Sequence, residues 1–184
     1  MSKADREKWD AKYLGRDPGD ASPSLDELAR FLPTTGRALD VAGGSGRNSL
    51  WLLRRGLAVT LVDISEVALA TARVHAGDLP LQAVALDLDV QPLPPGPYDA
   101  IICIAFLDRK VYRSFGELLE PGGTILIVHP TLANLERHAS PPREFLLEPG
   151  ELISFAAGLD VLHSDEGWSQ DNRHQARLVA RRPS

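Results

Sequence analysis

Residues 37–63 read RALDVAGGSGRNSLWLLRRGLAVTLVD, and this stretch decides the fold. Residues 37–42 are mostly apolar and read as a strand, with Asp40 inside it. A glycine-rich turn, Gly43-Gly44-Ser45-Gly46, follows. Leu50, Trp51, Leu52 and Leu53 then mark a helix, and residues 57–63 form a second apolar run that ends in Asp63. Glycines at such a turn let a ligand approach the backbone without meeting a Cβ. The unpaired N–H groups of the helix start then point at whatever is bound. Asp63 lies seventeen residues after Gly46, where a carboxylate at a strand end accepts hydrogen bonds from both ribose hydroxyls.

Further strands are predicted at 81–87, 99–105, 124–129, 159–163 and 174–181. The central runs are nearly continuous in apolar residues, as strands buried on both faces require. Ser24, with Glu27 as its capping-box partner, predicts a helix carrying Leu25, Leu28 and Leu32. Ser65 caps the next helix, and Gly77 closes it. Asp108 caps another with Val111, Phe115 and Leu118, and Pro121 stops it. Pro149 and Gly158 bracket one more. The expected order is a helix, five β–α units and a closing pair of strands. Only residues 164–173 join that pair, which is too short for a helical crossover, so the pair is antiparallel. The N-terminal arm predicts a short helix over 5–14 with Trp9 and Tyr13 on one face. Those aromatics either cover the domain edge or form a lid over a cleft.

Composition narrows the class. The chain has 184 residues, 43% of them hydrophobic and 24% charged, which suits one globular domain over 1–184. Cys103 is the only cysteine, so a disulfide scaffold is excluded and a zinc site has no sulfur set. The five histidines show no metal-ligand spacing. No apolar run approaches the ~20 residues that span a bilayer. The N-terminus, MSKADREKWD, lacks a signal peptide's apolar stretch, which points to a cytoplasmic protein. The net charge of −5 and pI near 5.5 argue against nucleic acid as a partner.

Asp40, Asp63 and Asp87 end three consecutive predicted strands and line one crevice, where open α/β sheets bind ligands. The pattern suits a dinucleotide or S-adenosylmethionine. Asp40 favours the second, since it can accept from an amino-acid ammonium but would repel a pyrophosphate. A substrate domain of dehydrogenase size is absent, and the closing strand pair is foreign to a simple dinucleotide fold.

The chain resembles class I S-adenosylmethionine-dependent methyltransferases over nearly its whole length. The resemblance rests on the glycine motif, Asp63, Asp87, Tyr98-Asp99 and Pro121-Gly122-Gly123. More narrowly it is similar to the tellurite-resistance (TehB-like) group, through WDAKY at 9–13, GGSGRNSLWLLRRG at 43–56 and FLLEPGEL at 145–152. The resemblance implies a Rossmann-like, seven-stranded, mostly parallel sheet of order 3-2-1-4-5-7-6 with strand 7 antiparallel. It implies that Asp40, Ala42, Gly43, Gly44, Gly46 and Asn48 hold the methionine part of the cofactor. Asp63 would take the ribose, and Ile64, Asp87 and Leu88 the adenine. Ile104 and Ala105 would border the methionyl end, with Trp9 and Tyr13 closing over it. Ala42 stands where the family usually has its first glycine, and an alanine is expected there only at negative φ.

Methyl transfer from a sulfonium is a direct displacement. Orientation and exclusion of water supply most of its acceleration, and a base is needed only where the acceptor carries a proton. The acceptor is expected to be a small molecule, between the ends of strands four and five, the arm and the insert after strand five. Selenite or tellurite, as oxyanions, would suit an arginine or histidine pocket. Arg143 is the first candidate, then Arg109 and His174, although each also reads as an ordinary surface arginine or strand histidine. His174 and Arg177 are three apart, so at most one faces the site. His129 ends strand five on the ligand edge, whereas Cys103 reads as buried packing. Trp168 is a partner contact or a loop anchor. A thiol, quinol or carboxylate acceptor, or a cofactor-binding module that transfers nothing, are the competing readings. A nicotinamide enzyme stands further off. The sequence leaves the oligomeric state open.

Overall fold

The computed structural model describes residues 3–184. Its sheet has seven strands: β1 (Arg37–Val41), β2 (Ala58–Asp63), β3 (Leu81–Ala85), β4 (Tyr98–Ile104), β5 (Leu119–Pro130), β6 (Asp160–Trp168) and β7 (His174–Arg181). Their order is β3-β2-β1-β4-β5-β7-β6. β1 to β5 run parallel, and β7 is antiparallel to both β5 and β6. This is the Rossmann-like architecture that the sequence predicts.

Both faces of the sheet are covered. Ala38, Ala100, Ile102, Leu126 and Val179 pack with Leu25 and Leu28 of α2 (Pro23–Leu28) and with Leu50 and Leu53 of α3 (Arg47–Arg55). The alternate residues Leu39, Ile101, Cys103, Ile125, Ile127 and Leu178 pack with Tyr112 and Phe115 of α5 (Arg109–Leu118) and with Leu147, Leu152 and Phe155 of the segment after β5. Cys103 is fully buried, as its apolar strand predicts. Two caps also match the sequence. Ser65 accepts from the Ala68 amide at the start of α4 (Glu66–Ala76), and Asp108 accepts from the Lys110 and Val111 amides at 2.8 and 3.1 Å.

Several expectations are corrected. Only β1, β2 and β4 are followed directly by helices, not five strands. Residues 86–97 run from β3 to β4 without one, because Pro92, Pro94, Pro95 and Pro97 deny the amides a helix needs. The helix expected between Pro149 and Gly158 is a single 3-10 turn, Leu152–Ala156. Left-handed Gly150 and Gly158 bound it on both sides. α2 starts two residues earlier than predicted, with Pro23 in its first turn and Ser22 at the cap position. Glu27 makes no capping box there and pairs instead with Arg177. β6 extends to Trp168 through residues that read as a polar link. It is the sheet's edge strand, where polar side chains are tolerated, and Asp165 faces Arg177 across the ladder.

The N-terminal arm forms α1 (Lys3–Tyr13), which has no buried residue. Asp10 ties it to α4, accepting from the Ser65 hydroxyl at 2.6 Å and the Val67 amide at 3.3 Å.

Candidate functional site

The C-terminal ends of the parallel strands make one edge, and the glycine turn sits at its centre. The Gly43 amide donates to the Val62 carbonyl at 3.3 Å, which fastens the turn to β2. The Gly44 amide donates to Asp63 Oδ2 at 2.8 Å, and the Ser65 amide to Oδ1 at 2.9 Å. Asp63 is thereby fixed at the crevice with one amide on each oxygen. Burial raises its pKa above the ordinary carboxylate range, and the amides on it oppose that shift.

Ala42 departs from expectation. Its φ is +54°, in the left-handed region that costs an L-residue roughly 1–2 kcal/mol. The turn keeps its glycine geometry and imposes it on the alanine. At Gly44 a Cβ would lie 2.3 Å from the Tyr13 hydroxyl oxygen, so α1 lies against this turn. Tyr13 stacks on Trp9 with ring centroids 5.9 Å apart, and the Lys12 ammonium sits 4.1 Å from the Trp9 ring. Burial, reinforced by Asp63, pushes the Tyr13 hydroxyl up to about 12.

Asp40 lies beneath the turn, at 1% exposure. Its Oδ2 accepts from the Ser49 hydroxyl at 2.6 Å. Its Oδ1 is buried with no hydrogen-bond partner among the described residues. Burial pushes this carboxyl up to about 6, against the pull of the Ser49 bond. Gly43 is obligatory above it, since a Cβ there would lie 2.5 Å from both Asp40 Oδ2 and Leu61 Cδ1. Asn48 is buried and accepts from the Ser22 amide at 3.0 Å, fastening the chain between α1 and α2. Ile64 and Asp87 line a cavity of about 250 Å3 with Lys3 and Arg6 of α1. Leu88 packs into the core. Ile104 is half-buried and Ala105 is exposed. Ala105 has φ +63° and donates to the Val128 carbonyl at 2.9 Å.

The acceptor candidates do not converge. Arg109 makes a two-pronged pair with Glu151, Nε–Oε1 2.5 Å and Nη2–Oε2 2.9 Å. Arg143 is exposed and meets Glu148 at 3.3 Å. The His174 Nδ1 lies 2.6 Å from the Thr131 hydroxyl, and its ring meets Trp168 edge-on at 5.1 Å. Arg177, on the other face as the strand period requires, is bound by Asp165 and Glu27. Trp168 ends β6 rather than lying in a loop, with the Arg137 guanidinium 3.8 Å from its ring.

Sequence reading missed Ser49, Asp10 and Thr131 as partners. Ser49 carries a signal, three residues into the helix that the glycine turn opens. Asp10 and Thr131 carry none, because their partners are far along the chain. His129 is 4% exposed. Its Nε2 lies 2.9 Å from the Phe145 carbonyl, and its Nδ1 has no partner among the described residues.

A glycine turn, a carboxylate at the end of β2 and the reversed seventh strand define a class I methyltransferase, and the comparisons agree. The family described as "Methyltransferase domain" matches residues 38–123. A ubiquinone biosynthesis O-methyltransferase of Xylella fastidiosa (strain M23) is 30% identical across 85% of this chain and 74% of its own. The chain belongs to the S-adenosylmethionine-dependent methyltransferases. The enzyme of the same name from Xylella fastidiosa (strain 9a5c) is 31% identical over 59% of this chain and 49% of its own. The chain thus spans about half the length of several curated relatives that it matches. Two solved structures share the fold. TehB from Haemophilus influenzae has a TM-score of 0.71 at 23% identity, covering 88% of this chain and 62% of that one. Magnesium protoporphyrin IX methyltransferase from Synechocystis has a TM-score of 0.71 at 17% identity, covering 97% and 95%. Among the described residues no helix is long and apolar enough to cross a membrane.

Proposed function

We propose that this chain transfers a methyl group from S-adenosylmethionine to a hydroxyl oxygen of a small molecule. The observation that carries the choice of acceptor is the state of the arginines. Arg143 and Arg109, the arginines offered for an oxyanion, are each held by carboxylates of the chain itself, as is Arg177, and His174 is held by Thr131. A selenite or tellurite ion would have to displace Glu151 or Glu148. The O-methyltransferase name of the relatives supports the same reading.

The residues present fit the cofactor. The unpartnered Oδ1 of Asp40 is a buried acceptor of the kind an ammonium would satisfy. Asp63 keeps lone pairs for ribose hydroxyls beyond the two that its amides use. The cavity beside Ile64 and Asp87 takes the adenine side. Gly43 and Gly44 leave backbone open where side chains would block the approach. α1 acts as the lid, with Tyr13 over Gly44. When bound, the sulfonium supplies a methyl group to a nucleophile in line with it. The chain's contribution is to orient the two reactants and keep water out.

The test begins with calorimetric titration of S-adenosylmethionine and S-adenosylhomocysteine into the purified chain, where micromolar binding is expected. Product formation is then followed with catechol, a thiol, selenite and tellurite. Methylation of catechol above the others supports the reading. Methylation of selenite or tellurite instead overturns it, and no binding of either nucleoside removes the cofactor site.

A further inference from the structure

We propose that His129 receives the proton of the acceptor hydroxyl on its Nδ1 during methyl transfer. The inference rests on the O-methylation reading and names the group that the reaction uses. His129 lies one residue before the end of β5, on the edge where the strands β1, β2 and β4 deliver the glycine turn, Asp63 and Ala105. Its side chain shares the face of Ile125 and Ile127, toward α5 and the segment after β5.

The geometry fixes the ring. A carbonyl can only accept, so the 2.9 Å contact with the Phe145 carbonyl puts the hydrogen on Nε2. Nδ1 then carries a lone pair, and it is buried without a partner. An unmet buried acceptor costs about 1–3 kcal/mol, and natural chains seldom leave one without a reason. A ligand O–H removes that cost, whereas an oxyanion would set lone pair against lone pair. The charged groups facing His129 are Arg109 of α5 and Glu151 of the 3-10 segment. They are bound to each other, so their fields largely offset. Burial holds the imidazole down to about 4, which keeps the lone pair available across neutral pH.

The step balances. The hydroxyl oxygen forms its bond to the methyl carbon, and the carbon–sulfur bond breaks with its pair going to sulfur. The hydroxyl proton passes to Nδ1, so the positive charge lost at sulfur reappears on the imidazole. That proton then leaves to water. Phe145 and Leu147 stay fastened to the edge through His129 and Pro130, so reaching Nδ1 requires the chain before them, residues 132–144, to move.

Two variants of the full chain test this. His129→Gln keeps an N–H for the Phe145 carbonyl and a second hydrogen-bonding atom, but no group that takes a proton. His129→Phe removes both. The expected loss in kcat on catechol is at least about 100-fold, the lower end for general-base catalysis, with affinity for S-adenosylmethionine unchanged. The rate of His129→Gln should rise with pH where the wild type is flat. Activity should return toward the wild-type rate on 4-nitrocatechol above its own pKa, where no proton remains to be taken.

A readout independent of turnover is the 15N resonance of His129 Nδ1 in the wild type with S-adenosylhomocysteine bound. It should move when catechol is added and stay put with anisole, which has no hydroxyl. A resonance that stays put while catechol binds overturns the assignment. So does an equal loss on the ionised and neutral acceptors. Failure of the wild type to methylate any hydroxyl overturns the O-methylation reading and this proposal with it. Normal turnover by His129→Phe overturns this proposal alone.

Discussion

The two halves of the ligand edge hold their polar groups in different ways. In the cofactor half, over β1 and β2, the carboxylates are buried. They are held by amides and a hydroxyl of the turns and helix starts that follow β1 and β2: Gly44 and Ser65 on Asp63, Ser49 on Asp40. In the acceptor half, beyond β4 and β5, the charges are held by opposite charges, two of them from distant parts of the chain. Glu151 is 42 residues from Arg109, and Glu27 is 150 from Arg177. The first arrangement keeps lone pairs open toward a ligand. The second closes its charges on one another and leaves a neutral imidazole lone pair as the open group.

The largest effect that separates the halves is expected from pH. Burial raises the Asp40 pKa from the ordinary carboxylate range to about 6, so the native state holds its proton more tightly than the unfolded chain. Its neutral form is tolerated below the unfolded pKa, and stability falls as pH rises through the folded one. Burial lowers the His129 pKa from the ordinary imidazole range to about 4. Its contribution is full above the unfolded pKa and is lost as pH falls through the folded one. Each amounts to about 3 kcal/mol at most, and they oppose each other across the window from about pH 4 to pH 6. Asp40→Asn should remove the first alone. Chemical denaturation at a series of pH values should show the variant gaining on the wild type by up to about 3 kcal/mol as pH rises. Parallel curves would place Asp40's partner outside the described contacts.

Next in size, Asp63→Ala should weaken S-adenosylmethionine binding by about 1.5–3 kcal/mol, as for hydrogen bonds to a charged group. Arg109→Met should leave that affinity unchanged and lower Tm modestly, since a half-exposed pair is worth roughly 1 kcal/mol or less. Calorimetry on both variants checks the contrast, and equal losses would merge the two halves into one. The smallest effect is expected in the glycine turn of the cofactor half. Ala42→Gly relieves the left-handed strain of about 1–2 kcal/mol and adds unfolded-chain entropy worth about 0.4–1 kcal/mol. A net gain near 0.5 kcal/mol should appear in denaturant unfolding, with cofactor affinity unchanged.

The same division explains what could be read from the sequence. Residues 37–63 gave up the strands, the turn and Asp63 because the bonds that fix them, Gly43 to Val62, Gly44 to Asp63 and Ser49 to Asp40, all close within this one β–α–β stretch. Ser65 and Asp108 were legible as caps because their bonds close within one helical turn. The neutralisation of Arg109, Arg143 and Arg177 was not, since a guanidinium in a sequence carries no mark of the carboxylate that will meet it. The missing helix between β3 and β4 was legible in principle from its four prolines. The strand length of β6 was not, because its polar residues are licensed by an edge position that only the assembled sheet defines. Ala42 shows a further limit: the expected negative φ followed from the residue, but the turn around it set the angle.

α1 has 11 residues and buries none of them, and an isolated helix that short is marginal in water. It is held through Asp10 on Ser65 and Val67, and through Tyr13 against Gly44. These are the walls of the crevice it covers. Unfastening these contacts and opening the crevice are therefore one event. On the proposed lid role, the residence time of a spent nucleoside is expected to follow how often this helix lets go, and the stacked Trp9 should report each release as a change in its fluorescence.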